Sequence, residues 1–565
     1  MSRPRPEAGR AAGPKVLLVT PPFVQPNAPY PATPALTGWL ERNGVDVEQR
    51  DLGLETALEM LRGSGDDFAD EAIEILQNRH LPPEAKMGAA QHLDALALRI
   101  RDEEDPDFGF SRYAERLCAS LPDFGALLAR LRRRTRADRI LEARTAAAVA
   151  DCRPGRGRPF VVGVTCPFPG TLLGAFRIAR TVRRLAPEAK IALGGGYVNT
   201  ELRHLTDRRP FRFFDEILYD EGYAPLLDFV RRAAGAPPGP ARGVPPPPVF
   251  VKPSYRGLDL SQYFDLPESG NPMHRMWSTG RWIKLQLARG CYWHRCAFCD
   301  VSLDYVRRFA APAAAEVADA MEALAAETGE RGFHFTDEAM PPALVKGLCH
   351  ELIRRRFRCE WWGNVRFDPA WTPAFARLMA RAGCVAVTGG LECANDRLLR
   401  LMNKGVTRAT ARAALQAFAG AGILAHAYLM YAFPTETERE AWGALGWVRK
   451  LFREGLLQSA YFHRFALTVH SPVAKNPAAF GITLPPAVRE LLAGRPPRGL
   501  FAVNEIPFRE PGAPDWDRIG RGLRLAVSNW VEGRGISRPV GLVTTATSSS
   551  SFRWLMTMLN MKRSS

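Results

Sequence analysis

A proline-rich stretch divides this chain into two parts, and each part alternates short apolar runs with helical segments. Residues 236–253 read APPGPARGVPPPPVFVKP, a composition that forms a stiff, extended linker rather than a core element. The chain has 565 residues, 46% of them hydrophobic, which suffices for two to four domains. We therefore predict domains at 14–235 and 276–480, a linker at 236–275 and a small α-rich C-terminal extension at 481–565.

The first domain has the pattern of a doubly wound α/β sheet. Its apolar runs are at 15–22, 45–51, 160–166, 190–196 and 216–222. Strands that alternate with helices pair in parallel, and helices cover both faces of the sheet. Residues 54–150 are rich in Ala, Leu, Glu and Arg, with apolar residues three and four apart. This spacing predicts a helical insertion within the domain.

The second domain has six strand-like runs with helical segments between them. The runs are at 282–288, 332–336, 360–366, 385–390, 424–430 and 461–467. Six strand–helix units predict a partial (β/α)6 barrel. In the first run Ile283, Leu285 and Leu287 alternate with Lys284 and Gln286, so one face can pack on helices while the polar face lines a lumen.

Three cysteines follow the first of these strands closely. Cys291, Cys296 and Cys299 are near enough along the backbone to ligate three corners of one iron–sulfur cluster, which leaves one iron open to an exogenous molecule. Zinc, with His294 as a fourth ligand, is the alternative. No second Cys-x-x-Cys pair completes a zinc site, and a loop around a cluster would direct His294 outward, so the pattern favours the cluster.

Polar residues recur at the carboxyl ends of the other strands, where barrels of this kind gather catalytic groups. They are 336–338, Asn364 and Arg366, 389–392, and Tyr431 with 433–436. Each alone is better explained as a helix cap, and it is their shared position that favours a function. In the first domain Gly194, Gly195 and Gly196 follow a strand, where glycines let a ligand approach the backbone or simply form a tight turn.

The cysteine loop resembles that of radical S-adenosylmethionine (SAM) enzymes, in which the open iron binds SAM and an electron from the cluster cleaves it to a 5′-deoxyadenosyl radical. The family has three residues between the first two cysteines, whereas this chain has four, at 292–295. Residues 390–405 are similar to the family's Gly-Leu-Glu-Ser segment leading into Lys-Gly. Residues 431–437 are similar to its Gly-Leu-Pro-Gly-Glu-Thr, with alanine and threonine in place of both glycines.

This resemblance implies roles for several residues. Asp337 and Glu338 would sit where the family holds the methionyl amino group of SAM, and Arg366 and Glu392 would lie near the SAM ribose or carboxylate. Separately from the resemblance, four aromatic residues near the barrel mouth are candidates for a substrate pocket, with core packing favoured for at least half of them: Trp361, Trp362, Tyr428 and Tyr431.

The first domain resembles the Rossmann-like cobalamin-binding domain of one branch of these enzymes, through Pro21-Pro22, Gly194–Thr200 and Asp220–Gly222. The resemblance implies a cobalamin site at Thr165, Gly194, Gly195, Gly196, Asn199 and Glu221. The chain has no Asp-x-His-x-x-Gly motif. Cobalamin would therefore be held without a histidine ligand, or the domain would keep the fold without the cofactor.

The function implied by the resemblance is reductive cleavage of SAM at a 4Fe-4S cluster, with cobalamin-dependent methyl transfer to an unactivated carbon of a natural product or peptide. An external electron donor such as flavodoxin or ferredoxin is expected. The alternatives are a cobalamin-using oxidation, rearrangement or sulfur insertion and, from another class, a non-enzymatic iron–sulfur or nucleic-acid-binding protein.

The net charge of +17, from 76 basic and 59 acidic residues, permits binding to nucleic acid or acidic substrates. The arginine runs at 130–136 and 354–358 lie in helical segments, which favours solvated helix faces, and no aromatic–basic nucleic-acid motif is present. There is no apolar N-terminal segment and no membrane-length apolar run. The other seven cysteines are scattered. We therefore expect a cytoplasmic protein with reduced cysteines.

Overall fold

The computed structural model describes residues 13–106, 108–109, 123–155, 157–236, 249–267, 270–279 and 281–537. Parts of the predicted linker, insertion and extension lie outside these residues. The chain forms two compact units, each with one parallel sheet. The first comprises residues up to Gln77, His92–Tyr263 and Arg498–Val503, and the second comprises Asn78–Gln91, Phe264–Pro497 and residues from Asn504 onward.

The first unit contains a five-stranded parallel sheet. Its strands are β1 (Lys15–Thr20), β2 (Asp46–Asp51), β3 (Phe160–Thr165), β4 (Lys190–Gly194) and β5 (Glu216–Ile217), in the order β2-β1-β3-β4-β5. The predicted doubly wound sheet is confirmed. In this order the winding reverses between β1 and β3, and a crevice opens at their carboxyl ends.

Helices cover both faces of this sheet. The helices up to residue 236 are α1 (Ala32–Arg42), α2 (Leu52–Arg62), α3 (Ala69–Gln77), α4 (Pro83–Glu103), α5 (Phe124–Arg132), α6 (Arg136–Cys152), α7 (Leu172–Leu185), α8 (Gly196–Glu201) and α9 (Tyr223–Ala233). Alternate residues of β1 enter different cores: Leu17 belongs to the cluster of Phe176 on α7, whereas Leu18 belongs to that of Trp39 on α1. A strand buried on both faces must be apolar throughout.

The predicted basic helix faces carry ion pairs. Arg130 and Arg136 lie 2.9 Å from Asp138 and Glu104, respectively. In the second unit Arg355 makes ion pairs with several carboxylates. These cations are therefore matched locally by acidic partners.

The second unit contains six parallel strands in strictly sequential order. They are β6 (Ile283–Leu285), β7 (Gly332–Phe335), β8 (Glu360–Val365), β9 (Cys384–Glu392), β10 (Leu424–Tyr431) and β11 (Ser459–Arg464). The accompanying helices are α10 (Pro272–Thr279), α11 (Asp304–Arg307), α12 (Ala314–Thr328), α13 (Pro342–Arg354), α14 (Pro373–Arg381), α15 (Asp396–Leu401), α16 (Arg408–Gly420), α17 (Glu438–Arg453), α18 (Pro472–Lys475), α19 (Pro486–Leu492) and α20 (Trp516–Val531). The predicted partial barrel is confirmed.

One face of the second sheet is lined by histidines and aromatic residues. The His334 ring stacks on Trp362 with centroids 3.6 Å apart. Further along, Ser459 Oγ lies 3.0 Å from His426 Nδ1 and 2.9 Å from His274 Nε2 on α10. Since residues two apart on a strand share a face, the strand register places His334, Trp362 and His426 on this common inner face.

Helix α20 lies in the predicted α-rich extension and packs on β11 and α17. A Cβ at Gly520 would collide with the Tyr431 ring, and the Arg524 guanidinium donates to the Tyr431 hydroxyl. Trp361 is fully buried and donates to Ala382 O. Tyr431 and Trp361 therefore pack against helices. Within the described residues, no helix is both long and apolar enough to cross a membrane.

Candidate functional site

The cysteine loop leaves the carboxyl end of β6 and is pinned by backbone hydrogen bonds. Cys291 N donates to Val306 O at 2.9 Å. Ala297 N donates to Met402 O at 2.8 Å. Gly290, with φ +66°, lies so close to the backbone of residue 308 that a Cβ would come within 2.6 Å of its oxygen. The loop therefore has a defined path set by residues from later elements.

The three cysteine thiols lie near one another and near two cations. Burial raises the pKa of Cys296, against the opposing charges of Lys404 and Arg366. Burial also raises the pKa of Cys299, assisted by charge on Cys296 and Cys291. The two cations beside Cys296 favour its thiolate, which is the form that binds metal, although burial has the larger effect on its pKa.

The geometry fits a cluster better than the zinc site that the sequence left open. Among the described residues, no three His, Cys, Asp or Glu side chains converge on a position for a single metal ion. A zinc site needs four donors around one ion, whereas a cluster binds its thiolates at separate irons. His294 instead turns the loop, because its φ is +36° and its Nδ1 lies 2.9 Å from Cys291 O.

Asp337 connects the strand before the cysteine loop to β7. Its carboxylate accepts hydrogen bonds from Leu287 N at 2.8 Å and Ala288 N at 2.7 Å. Burial raises the pKa of this carboxyl to about 7, although the two backbone donors oppose the rise. Because both carboxylate oxygens already accept hydrogen bonds from backbone amides, the geometry indicates that Asp337 positions the loop. Its implied contact with SAM remains a prediction.

Glu338 is the accessible carboxylate at this strand end. Its side chain is exposed to solvent, yet surrounding protein raises its pKa by burial, as expected for a group inside a cleft. Its charge also contributes to the raised pKa of Cys299. Glu338 therefore faces the cysteine loop and is free to meet a cationic group bound there.

Glu392 forms a buried ion pair at the end of β9. Its Oε1 lies 2.6 Å from Lys404 Nζ, and both side chains are largely buried. A Cβ at Gly390 would collide with the Glu392 carboxylate. Glu392 has φ +59° and follows a register shift between β9 and β10. The Gly-Leu-Glu segment is thus built to form this pair, which lies beside the cysteine loop.

Arg366 follows β8 and is 4% exposed. Its Nη2 donates to Lys404 O at 2.5 Å, and its guanidinium lies 4.4 Å from the centroid of the Trp293 ring. Its Nε is buried and has no hydrogen-bond partner. The Asp368 carboxylate lies 3.9 Å from this Nε and supplies an opposing charge. The N–H itself is left without a hydrogen bond, which is costly, so Arg366 can still donate one hydrogen bond to a bound group. The predicted residues Arg366, Glu392 and Cys296 are therefore brought together.

The first unit offers fewer polar groups at its predicted site. Thr165 ends β3 beside the crevice, and its Oγ1 is buried without a hydrogen-bond partner. At Gly194 a Cβ would meet only Leu218 O, at 3.6 Å. An unsatisfied hydroxyl and an open glycine backbone at a strand end fit a ligand with polar edges.

The other predicted residues of the first unit have structural partners. A Cβ at Gly195 would lie 2.6 Å from Cys166 O, and one at Gly196 would lie 2.7 Å from Pro167 O. These glycines thus allow a tight backbone contact, which was the alternative interpretation. The Asn199 side chain donates to Asp220 O at 2.8 Å and accepts from Asp220 N at 2.6 Å. The nearby Glu221 is exposed.

The sequence interpretation gave no role to Trp293, Asn403, Lys404 or Gly405, which contact the cysteine loop or its neighbours. The Lys-Gly dipeptide at 404–405 could have indicated these contacts, since it belongs to the segment that resembles the family. Trp293 lies in the stretch that is one residue longer than in the family, and that extra residue was a second signal.

Comparison with known proteins gives the class. Residues 285–448 match the model of the Radical SAM superfamily. An uncharacterized methyltransferase of Pyrococcus horikoshii is 23% identical over 313 residues, which cover 52% of this chain and 64% of that protein. The chain thus spans less than two thirds of this relative. The part of the chain with the cysteine loop is a radical SAM domain.

Solved structures extend the likeness to the whole fold. The radical SAM methyltransferase TsrM of Kitasatospora setae, with cobalamin and a 4Fe-4S cluster bound, is 20% identical, with TM-score 0.54 over 89% of this chain and 85% of its own. The structure of TsrM with tryptophan substrate and a SAM analogue bound is 18% identical, with TM-score 0.55 over 97% of this chain and 99% of its own. The cobalamin-dependent SAM radical enzyme OxsB, with aqua-cobalamin and SAM bound, is 12% identical, with TM-score 0.51 over 98% of this chain and 71% of its own. This chain has the fold of cobalamin-dependent radical SAM enzymes, which confirms the predicted resemblance.

Proposed function

We propose that this protein binds a 4Fe-4S cluster, SAM and cobalamin and transfers a methyl group to a carbon of a small-molecule or peptide substrate. The observation that carries the proposal is the pinned loop bearing Cys291, Cys296 and Cys299 at the carboxyl end of the first barrel strand. A cluster held by three cysteines keeps one iron open to a cosubstrate.

The cluster would be held by the three cysteine thiolates, and cobalamin by the crevice at the carboxyl ends of β1 and β3. When bound, the cluster supplies the electron that cleaves SAM, and cobalamin supplies the methyl carrier. The orphan Thr165 hydroxyl and the open backbone at Gly194 support the cobalamin assignment. TsrM and OxsB are described with cobalamin bound, which adds support from the shared fold.

The chain's own residues would bind and orient SAM beside the cysteine loop. Glu338 is positioned to accept a hydrogen bond from the methionyl ammonium group, because it is accessible and neighbours Cys299. Arg366 offers a buried N–H to an anionic or hydroxyl group. Asp337 holds the backbone at Leu287 and Ala288, which fixes where the loop begins and thus where SAM lies.

The substrate would bind at the carboxyl ends of the barrel strands, beside the cysteine loop, where barrels of this kind place their sites. The cluster of His334, Trp362 and His426 lies toward the amino ends of the strands. Helix α10 packs on this cluster through His274 and Trp277, so the cluster belongs to the core. A methyltransferase relative and the likeness to the methyltransferase TsrM support methyl transfer over other radical chemistry.

The proposal is tested on anaerobically reconstituted protein. Iron, sulfide and cobalamin are quantified, and the protein is then incubated with dithionite and SAM carrying a labelled methyl group. We expect a 4Fe-4S stoichiometry, bound cobalamin, and label transferred from SAM to cobalamin. Protein that binds neither cluster nor cobalamin would overturn the proposal. Deoxyadenosine without label on cobalamin would favour the alternative, a non-methylating reaction.

A further inference from the structure

The segment 402–405, which follows α15, grips the cysteine loop through three hydrogen bonds. Met402 O accepts from Ala297 N at 2.8 Å. Asn403 O accepts from Trp293 Nε1 at 2.8 Å, and Asn403 Nδ2 donates to the carbonyl of Arg295 at 2.9 Å. These partners lie on both sides of Cys296. The segment therefore holds the stretch that connects the first two cysteines and the residue just after the second.

The Trp293 ring packs against this segment at Gly405, where the absence of a side chain leaves room for it. A Cβ at Gly405 would overlap the Trp293 indole, and Gly405 has φ +72°. The Arg366 guanidinium lies 4.4 Å from the same ring and donates to Lys404 O. Cation–π contact favours such an arrangement. The indole is thus held from two places in the chain: by Gly405 and the Asn403 carbonyl of the segment 402–405, and by the cation of Arg366.

The grip coincides with the part of the loop that departs from the family. Four residues separate Cys291 from Cys296, and the two in the middle, Trp293 and His294, make the turn. A longer connection has more conformations to lose when its ends are fixed. Contacts that fix this stretch before metal binds would reduce that loss, which is preorganisation of a metal site.

We propose that residues 402–405, together with Arg366, form a clamp that preorganises the cysteine loop, with Trp293 as its positioning residue. The clamp orders the loop in the cluster-free protein and keeps the cluster from leaving once bound. The second part rests on the proposed function, because it assumes a cluster on the three cysteines. The first part concerns only the order of the loop and can be measured without metal.

The test compares Gly405→Ala with Gly422→Ala. Both glycines have left-handed backbone, with φ +72° and +75°, but only at Gly405 would the new Cβ meet another residue. Hydrogen–deuterium exchange of apoprotein is read on peptides covering residues 289–300. We expect Gly405→Ala to speed exchange there at least tenfold, while Gly422→Ala leaves these peptides unchanged. Equal exchange in both variants and the wild type would overturn the clamp.

Trp293 variants separate its ring contacts from its hydrogen bond. Trp293→Phe keeps an aromatic ring but loses the bond to Asn403 O, and Trp293→Ala loses both. Trp442→Phe is the matched control, because Trp442 donates to Glu438 within its own helix. In reconstituted protein, we expect the rate of iron loss to a chelator to rise about threefold for Trp293→Phe and more than tenfold for Trp293→Ala. The control should equal the wild type.

The two proposals fail in different ways. If wild-type protein assembles no cluster but Gly405→Ala still speeds loop exchange, the clamp stands and the proposed function fails. If the wild type assembles a cluster, and all variants match its exchange and its iron-loss rate, the clamp is refuted and the proposed function stands.

Discussion

The two candidate cofactor regions differ in how much charged side chains contribute to their structure. Around the cysteine loop, charged side chains hold one another and the backbone: Asp337 bonds to two amides, and Lys404 pairs with Glu392. In the crevice of the first unit, the shape comes from backbone packed on backbone, as at Gly195, and Thr165 is left without a partner. The first region surrounds its proposed ligands with charged groups, whereas the second offers one unsatisfied hydroxyl and the backbone at Gly194.

The largest expected effect concerns the thiols themselves. Replacing all three cysteines with alanine (Cys291→Ala, Cys296→Ala and Cys299→Ala) should abolish the cluster and deoxyadenosine formation, because the proposed cluster would lose all three of its thiolate ligands. Cobalamin binding in the first unit should be unchanged, as measured by its absorbance on purified protein. Deoxyadenosine from the triple variant would show that the ligands are misassigned, and loss of cobalamin would show that the two regions are coupled.

Breaking the buried ion pair should have the next largest effect. Lys404→Met leaves the Glu392 carboxylate buried without its cation, which costs about 3–5 kcal/mol of stability. Denaturant unfolding, followed by the fluorescence of the second unit, measures this cost. The double variant Glu392→Leu/Lys404→Met should recover most of it, since an apolar pair replaces the charges. Arg354→Ala, which removes a surface partner of Glu351, should cause no resolvable change.

The buried carboxyl of Asp337 makes stability depend on pH. Its pKa is raised to about 7, so the folded protein holds this proton where the unfolded chain has lost it. The contribution of Asp337 to the free energy of unfolding is fully present below about pH 4. It declines as the pH rises to about 7, by at most about 4 kcal/mol. Asp337→Asn should remove that slope in unfolding measurements between pH 4 and 8. An unchanged slope would assign the pH dependence elsewhere.

The smallest effect separates two threonines of the first unit. The Thr165 hydroxyl has no partner, whereas Thr171 Oγ1 donates to Phe168 O at 2.8 Å. Without cofactor, Thr165→Val should leave the thermal midpoint unchanged or slightly raise it, and Thr171→Val should cost about 1 kcal/mol. In an equilibrium binding assay with cobalamin, the variant with the larger loss should be the other one: Thr165→Val should weaken cobalamin binding more than Thr171→Val does. Equal cobalamin affinity in both variants would remove Thr165 from the site.

The sequence predicted the elements well because the relevant signals are local. Periodicity located each barrel strand to within a few residues, since burial on one face dictates alternation. The cysteines were found because their spacing is local too. The partner of Asp337 could not be found in this way, because hydrogen bonding to Leu287 and Ala288 joins positions fifty residues apart. Similarly, nothing in a Gly-Gly-Gly run reveals that Cys166 and Pro167 fill the space beside it.

Residue roles were harder to predict than residue positions. Trp361 was expected among pocket residues, but it packs toward the helices because its neighbour Trp362 takes the inner face. Glu392 was placed near SAM by resemblance, and its pairing with Lys404 depends on a register shift between two strands. Such irregularities arise from tertiary packing and leave little trace in the spacing of residues.

The strand orders of the two sheets have a consequence for folding during synthesis. In the second sheet every strand pairs with the one made just before it, so the barrel can grow one strand at a time as the ribosome proceeds. In the first sheet, Lys15 on β1 must wait for Phe160 on β3, and β1 stays half-paired until then. Long-range pairing of this kind folds slowly, so the N-terminal unit should be the slower to fold and the more dependent on chaperones.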